Sequence, residues 1–139
     1  MSSESIVYGC IKDSADENIV ERRRINLQAL SELPAAESWP MISREMFSAR
    51  TAPDEVESGP LLNTEITHFG ASYQGVEYEW KHWLEQFEQL LRQMYWVSAT
   101  VHLETEMAGT HSFFWQTDCG EHQPGVDDIK IRCEWIHDA

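Results

Sequence analysis

The chain has 139 residues and carries 24 aspartates and glutamates against 10 lysines and arginines, which gives a formal net charge of −14. Hydrophobic residues make up 42% of the chain and include 6 tryptophans, enough to bury the core of one domain without disulfides or metal. A folded surface this acidic excludes nucleic acid and anionic membranes as expected partners and favours a basic protein.

The first residues contain no basic segment followed by an apolar run of signal-peptide length, and no stretch approaches the roughly 18 apolar residues of a membrane span. We therefore expect a cytoplasmic protein. The cysteines, Cys10, Cys119 and Cys133, fit a reducing compartment because their number is odd and their spacing irregular. Cys10 and Cys133 lie in apolar runs, where cysteine is usually a small buried side chain.

A buried strand over residues 6–11 is predicted to precede the first helix. That helix is expected to begin at a capping box, in which the Ser14 hydroxyl accepts from the Glu17 N–H while the Glu17 carboxylate reaches back. Its apolar residues recur at steps of three to four: Ile19, Val20, Leu27, Leu30 and Leu33. Pro34 ends the pattern. The basic triplet 22–24 is predicted to lie partly on the solvent face and to pair with nearby acids.

Residues 39–49 are compatible with two structures. Met41, Ile42, Met46 and Phe47 suit a helical face, but Pro40 and the preceding loop also allow an extended segment, and we favour a strand. Residues 50–64 combine prolines, a glycine and acids, so they are predicted to form a long exposed loop within the domain. Its acids are candidate partner-binding residues: Asp54, Glu55 and Glu57.

A second buried strand is predicted over residues 66–73, immediately before a strongly amphipathic helix. One stripe of this helix is apolar and comprises Trp80, Trp83, Leu84, Phe87, Leu90, Leu91 and Met94. The opposite stripe is polar, with Glu77 four residues before Lys81 and Glu88 four residues before Arg92. We expect the apolar stripe to lie in the core.

Three strands follow. Residues 97–104 alternate apolar and polar side chains, 108–110 make the turn of a hairpin into 111–117, and 129–135 alternate again as a last half-buried strand. The predicted fold class is α+β, a single domain over residues 1–139 with a mainly antiparallel sheet and two principal helices packed on one face, in the order β-α-(β)-β-α-β-β-β.

Three consecutive aromatic residues, Phe113, Phe114 and Trp115, cannot all point to the core because successive side chains of a strand alternate between faces. Either Phe114 or its two neighbours must lie on the second face. Carboxylates follow directly in the sequence: Asp118, Glu121, Asp127 and Asp128. An aromatic anchor with an acidic rim is suited to binding a basic surface, so Phe114, Trp115 and these acids are the main candidate partner-binding residues.

Cys119-x2-His122 and Cys133-x3-His137 superficially match a zinc site. If the last segment is a strand, however, Cys133 and His137 lie roughly 13 Å apart and cannot share one ion. We expect no metal and no cofactor, and a buried Cys133.

Of the histidines, His102 and His111 are predicted to face each other across the hairpin beside Glu104. Such a pair is more often a solvated sheet face than an acid–base site, and the chain contains none of the common phosphate-loop, nucleophile-elbow or metalloprotease motifs. We therefore predict no catalytic residue. A small enzyme using the His102/His111 face is retained as an alternative.

In overall profile the chain resembles the immunity proteins of bacterial toxin–immunity pairs, which are small, signal-free, acidic, tryptophan-rich single domains. The resemblance implies a cytoplasmic antidote that binds a cognate toxin tightly, with acidic residues placed against the site that handles an anionic substrate. The other alternative is a non-catalytic adaptor or structural subunit of a larger assembly. Such a subunit would share the exposed aromatics without needing the acidic charge.

Overall fold

The computed structural model describes residues 4–14, 19–36, 41–48, 64–106, 108–117, 120–126 and 129–136, with the backbone alone at 64 and 134–136. The strands are β1 (Glu4–Ser14), β2 (Phe47–Ser48), β3 (Thr64–Gln74), β4 (Ser98–Thr105), β5 (Gly109–Thr117) and β6 (Ile129–Ile136). The helices are α1 (Ile19–Ser31) and α2 (Trp80–Arg92), and 3-10 turns at Arg44–Met46 and Val76–Glu79 precede β2 and α2. The α+β class is confirmed, and the predicted order of elements is confirmed in part.

The six strands form one antiparallel sheet in the order β2-β3-β1-β4-β5-β6. β1 pairs with β3 on one side and with β4 on the other, so β3 and β4 run in the same direction with β1 between them. The helix α2 joins these two strands, as parallel strands require a long crossover connection. The N-terminal strand therefore lies inside the sheet.

One face of the sheet carries the core. Burial alternates along β4, where Ala99, Val101 and Leu103 are buried and their neighbours are partly exposed, as the two-residue period predicts. Val7 in β1 lies opposite Leu103 and belongs to the same core cluster. Buried residues of α1 and α2 belong to this cluster as well, so both helices pack on this face.

Aromatic rings connect α2 to the sheet. Within the helix, the Trp80 and Trp83 rings stack with centroids 4.8 Å apart, and Trp83 stacks on Phe87 at 5.2 Å. Phe87 contacts Phe69 of β3 at 5.3 Å and meets Trp115 of β5 edge-on at 5.0 Å. The predicted apolar stripe of α2 is confirmed, and large aromatic areas dominate the packing energy of this core.

The residues of α1 that are buried differ from those that its sequence pattern indicates. Val20, one of the recurring apolar residues of the predicted helix, is 72% exposed, whereas Arg22, predicted to lie partly on the solvent face, is only 5% exposed. Ala29 and Leu30 are buried in the following turns. The orientation of α1 therefore buries the Arg22 cation in the first half of the helix. The free-energy cost of burying this charge is offset because the guanidinium is paired with carboxylates.

Arg22 makes a buried ion-pair network with residues distant in the chain. Its Nε donates to Asp13 Oδ2 at 3.0 Å, its Nη2 donates to Asp13 Oδ1, and its Nη1 donates to Glu121. The guanidinium carbon also lies 4.8 Å from the centroid of the Tyr95 ring. Burial raises the pKa of Asp13 although Arg22 opposes that rise. Burial also opposes the charge on Arg22, but the hydrogen bonds to Asp13 and Glu121 outweigh it and raise the Arg22 pKa.

The predicted capping box lies partly outside the described residues, since Glu17 is not among them. Ser14 pairs with Thr64 as the last residue of β1, and α1 spans Ile19–Ser31. The strand favoured over residues 39–49 is reduced to Phe47–Ser48, which follows the 3-10 turn at Arg44–Met46. Of the predicted 50–64 loop, only residue 64 is described, and it belongs to β3.

Gly9 is required by the close approach of β1 to β4. A Cβ at this position would overlap the Thr100 carbonyl oxygen and lie 2.9 Å from Phe69 Cζ. Gly9→Ala is expected to lower the free energy of unfolding by about 1–3 kcal/mol, as overpacking of a core does. Urea unfolding measures the loss. The matched control is Gly70→Ala, whose Cβ has its nearest neighbour 3.7 Å away, and equal losses for both variants would contradict this account.

Candidate functional site

The face of the sheet opposite to α1 and α2 is the candidate site, and we call it the open face. Strand register places its residues in rows that cross β3, β1, β4, β5 and β6. Those with described side chains near its centre are Ile6, Tyr8, Cys10, Ile66, His68, Thr100, His102, Glu104, Ser112, Phe114 and Arg132. The two helices of the described chain leave this face without a helical layer.

Large hydrophobic side chains on the open face are solvent-exposed. Ile6 is 39%, Tyr8 38% and Ile66 40% exposed, and Cys10 next to them is partly exposed. The first two strands were predicted to be buried, but β1 is buried only at alternate residues. Ile6, Tyr8 and Cys10 fall on the other half of that alternation. An apolar patch on a rigid sheet is a common feature of protein-binding surfaces.

Polar contacts hold the centre of the open face in place. The Tyr8 hydroxyl donates to Glu104 Oε1 at 2.8 Å, and its ring lies 5.0 Å from the His102 ring, centroid to centroid. His102 Nδ1 in turn lies 2.8 Å from Ser112 Oγ. The hydrogen bond to the Glu104 carboxylate, followed by burial, raises the pKa of Tyr8. These contacts join β1, β4 and β5 on the open face and limit the motion of Tyr8.

Phe114 is the aromatic residue of β5 that belongs to the open face. It lies opposite Arg132 of β6, whose guanidinium carbon is 5.0 Å from the centre of the phenyl ring. Phe113 and Trp115 point to the core instead. Trp115 is 0% exposed, and its Nε1 donates to Glu88 Oε2 of α2 at 2.9 Å. Trp115 is therefore part of the core. This position differs from the expectation that Trp115 binds a partner.

The predicted acidic rim is described at one position only. Glu121 is partly exposed, but its carboxylate accepts from the buried Arg22 and thus belongs to the ion-pair network. The other predicted partner-binding acids lie outside the described residues: Asp54, Glu55, Glu57, Asp118, Asp127 and Asp128. Their part in binding remains a prediction.

The predicted His102/His111 pair does not exist in the sheet. His102 lies opposite Ser112, and His111 lies opposite Leu103, so register places the two histidines on opposite faces. A shift of one residue between the strands is sufficient for this difference, because it moves every side chain to the other face. The Ser112 hydroxyl that His102 contacts is itself covered, since Ser112 is 3% exposed.

The zinc-like spacing has no structural counterpart in the described residues. Both ring nitrogens of His122 lie 2.8 Å from backbone carbonyl oxygens, those of Met94 and Val126, and its ring stacks on Trp96. A nitrogen that donates to a carbonyl has no lone pair for a metal. Cys133 is exposed on the edge strand β6, contrary to the predicted burial, and Cys119 and His137 lie outside the described residues. Within the described ranges, no group of three or more His, Cys, Asp or Glu side chains is placed to hold a metal ion.

Comparisons with known protein families, with curated proteins and with solved structures found no match to this chain. In the described part of the chain, neither helix combines the length and the apolar character needed to cross a membrane.

Proposed function

We propose that this protein is an immunity protein that binds a cognate bacterial toxin in the cytoplasm and neutralises it through the open face. The supporting observation is that Ile6, Tyr8 and Ile66 are exposed, and Phe114 is partly exposed, on one face of a sheet whose other face is covered by helices. Aromatic and aliphatic anchors on a rigid element contribute most of the binding energy in many interfaces.

The net charge of −14 supports a basic partner. The open face itself carries both signs, since Lys12 and Arg132 lie on it as well as Glu104, so its local contacts are not selected by acidity alone. The charge of the whole chain acts at longer range and accelerates the encounter with a positively charged protein. Toxins that act on anionic substrates, such as nucleic acids or nucleotides, have surfaces of that kind, and neither nucleic acid nor membrane is a partner in this proposal.

The geometry of the His102–Ser112 pair favours binding over hydrolysis. A serine nucleophile must present its oxygen to a substrate, whereas Ser112 is only 3% exposed. The pair therefore supports the sheet, and the same holds for the Tyr8–Glu104 bond. We accordingly propose that the protein is not an enzyme and needs no cofactor.

Phe114→Ala is expected to weaken binding of the cognate toxin at least tenfold, mainly through faster dissociation, because truncation removes an anchor without changing the long-range field. The toxin is first isolated with tagged protein from the native cell lysate at low and at moderate salt, identified by mass spectrometry and shown to be toxic when expressed alone. Surface plasmon resonance then compares the variants. The matched control is Tyr78→Ala, which removes an aromatic side chain that is 82% exposed and lies outside the open face.

Each outcome decides between the candidate functions. A single basic partner, toxic alone and harmless when co-expressed with this chain, supports the antidote. Equal affinities of the Phe114→Ala and Tyr78→Ala variants would remove the open face from the proposal. Recovery of a set of assembly subunits, none of them toxic, would contradict the antidote and favour the adaptor.

A further inference from the structure

We propose that two copies of this chain join along their β6 strands to form a symmetric dimer with one continuous sheet. β6 is the last strand in the sheet order and pairs with β5 on its inner side. In the part of the chain that the structure describes, no strand lies beyond it. The dimer does not depend on what the open face binds.

The β6 strand is a long sheet edge. Its 8 residues, Ile129–Ile136, extend over about 26 Å. At the opposite edge, β2 has only 2 residues, Phe47–Ser48. An edge strand directs backbone N–H and C=O groups outward, where a further strand can bind them, and folded proteins often keep such edges short. Of the two edges, β6 therefore offers the longer line of pairing for another strand.

Side chains on both faces of β6 are exposed. On the helix-covered face, Ile131 is 46% exposed although Trp115, its partner in β5, is 0% exposed. Cys133 on the same face and Arg132 on the open face are exposed as well. Burial on the core side thus ends abruptly at β6, and an added strand would cover the half-exposed isoleucine. Removing such apolar surface from water favours association.

A second copy of β6 fits this edge by symmetry. A twofold axis perpendicular to the sheet makes the two strands antiparallel and brings the same surface of each copy together, as in most homodimers. Residues that pair across strands share a face, so the axis lies level with one residue and not between two. Only an axis at Arg132 or at Cys133 is central enough to pair nearly the whole strand.

Charge distinguishes these two registers. Each gives two pairs of opposite charge by symmetry, Lys130 with Glu134 for the axis at Arg132 and Arg132 with Glu134 for the axis at Cys133. The axis at Arg132 also places two arginines directly opposite each other, which is destabilising. The axis at Cys133 avoids this repulsion and places Ile131 opposite residue 135, a tryptophan. The dimer therefore has its axis at Cys133.

This symmetry places the open faces of both copies on one side of the joined sheet, because the axis is perpendicular to it. The helices of both copies lie on the other side. Phe114 lies one strand away from the joint, opposite Arg132. The dimer thus presents two neighbouring open faces, which suits a partner that is itself a dimer.

The first experiment uses Cys133 as a reporter of the register. Directly opposite residues of antiparallel strands have Cα atoms about 4.5–5.5 Å apart, within the range that a disulfide spans. Copper phenanthroline is added to a variant that retains only Cys133, made by Cys10→Ser and Cys119→Ser, and a non-reducing gel is run. A covalent dimer is expected. The matched variant retains only Cys10, which is partly exposed in the middle of the sheet, and should remain monomeric on the gel. Equal cross-linking of the two proteins would overturn the proposal.

The second experiment reverses the charges at the joint and measures association by sedimentation velocity. Arg132→Glu and Glu134→Arg should each weaken the dimer about tenfold, since each places like charges opposite each other twice, and the double variant should restore it. Glu134→Arg makes the chain less negative, so a repulsion set only by net charge predicts a stronger dimer instead. The control is Lys81→Glu on the exposed face of α2, which changes the net charge as Arg132→Glu does. Physiological ionic strength, with a Debye length of about 8 Å, screens the repulsion between two chains of net charge −14.

The outcomes separate this inference from the proposed function. A monomer at every concentration, with toxin binding that still depends on Phe114, would overturn the dimer and leave the antidote intact. A dimer that cross-links at Cys133 while no toxin is found would support the dimer alone. A dimer that neither cross-links at Cys133 nor responds to Arg132→Glu uses another surface and would overturn the proposal. The cross-linking result holds even where a charge variant fails to fold.

Discussion

Arg22→Met is expected to lower the free energy of unfolding by about 3–5 kcal/mol at neutral pH, because it leaves Asp13 as an unpaired charge in a buried site. Glu121, also a partner of Arg22, is partly exposed and can return to water. Urea unfolding gives the loss. The matched control is Arg24→Met on the same helix, which removes an exposed cation paired with the exposed Glu21 and should leave the unfolding midpoint nearly unchanged.

The loss should depend on pH in a defined direction. The folded-state pKa of Asp13 is raised above its ordinary 3.8, so the stability associated with its protonation is fully present below that value and is lost as pH rises through the folded pKa. Without Arg22, which lowers this pKa, the folded value rises further. The destabilisation by Arg22→Met should therefore be largest at neutral pH and shrink on acidification. A loss that stays constant with pH would contradict a charged Asp13 as its cause.

A double variant tests the same network from the other side. Asp13→Asn combined with Arg22→Met removes both buried charges, and it should be more stable at neutral pH than Arg22→Met alone. Asp13→Asn by itself is expected to be destabilising as well, since Arg22 then loses its two bonds to the carboxylate. A double variant no more stable than either single variant would show that packing, and not charge, is what Arg22 supplies.

Trp115→Ala is expected to cost about 3–5 kcal/mol of unfolding free energy, because it opens a cavity between β5 and α2. The variant also leaves Glu88 without the indole N–H. Phe114→Ala, one residue earlier on the opposite face, should cost only about 1 kcal/mol. Thermal and urea unfolding of the two variants measure the difference.

This comparison has a consequence for any binding experiment. A Trp115 variant that no longer binds a partner has lost the core, whereas a Phe114 variant that no longer binds has lost a contact. Near-ultraviolet circular dichroism provides the control, since its signal should fall for Trp115→Ala and persist for Phe114→Ala. Equal unfolding losses for the two variants would contradict the assignment of the two faces.

Much of the sheet and the whole of α2 were predictable from local periodicity. The alternation that ends at Leu103 and the stripe from Trp80 to Met94 each repeat often enough to determine an element and its buried side. The two-residue period of a strand, however, indicates only that Phe114 and Trp115 point in opposite directions. Which of them is buried depends on the pairing of β5 with β4 and on the side to which α2 returns, and neither is encoded within the strand.

The open face and the Arg22 ion-pair network were less predictable, because their contacts join segments that are distant in the sequence. Arg22 appears in the sequence as one of three adjacent arginines, while its partners Asp13 and Glu121 belong to other elements. Ser14 matches a helix cap locally, but pairing with Thr64 makes it part of β1. Predicting the open face requires knowledge of the strand order, since Tyr8 contacts His102 only because β1 lies beside β4. A pattern along the chain contains no information of this kind.

The position of β1 constrains the order in which this molecule assembles. It is synthesised before the other described strands, yet both of its neighbours come much later in the chain: Ser5 pairs with Tyr73 and with Thr105. Until β4 has been synthesised, β1 can pair on one edge at most, and the nascent chain exposes apolar segments meanwhile. Sheets built from such distant pairs fold slowly, because the chain entropy of closing long loops is lost before the contacts form. A nascent chain that stops before residue 98 should therefore remain unfolded and depend on chaperones.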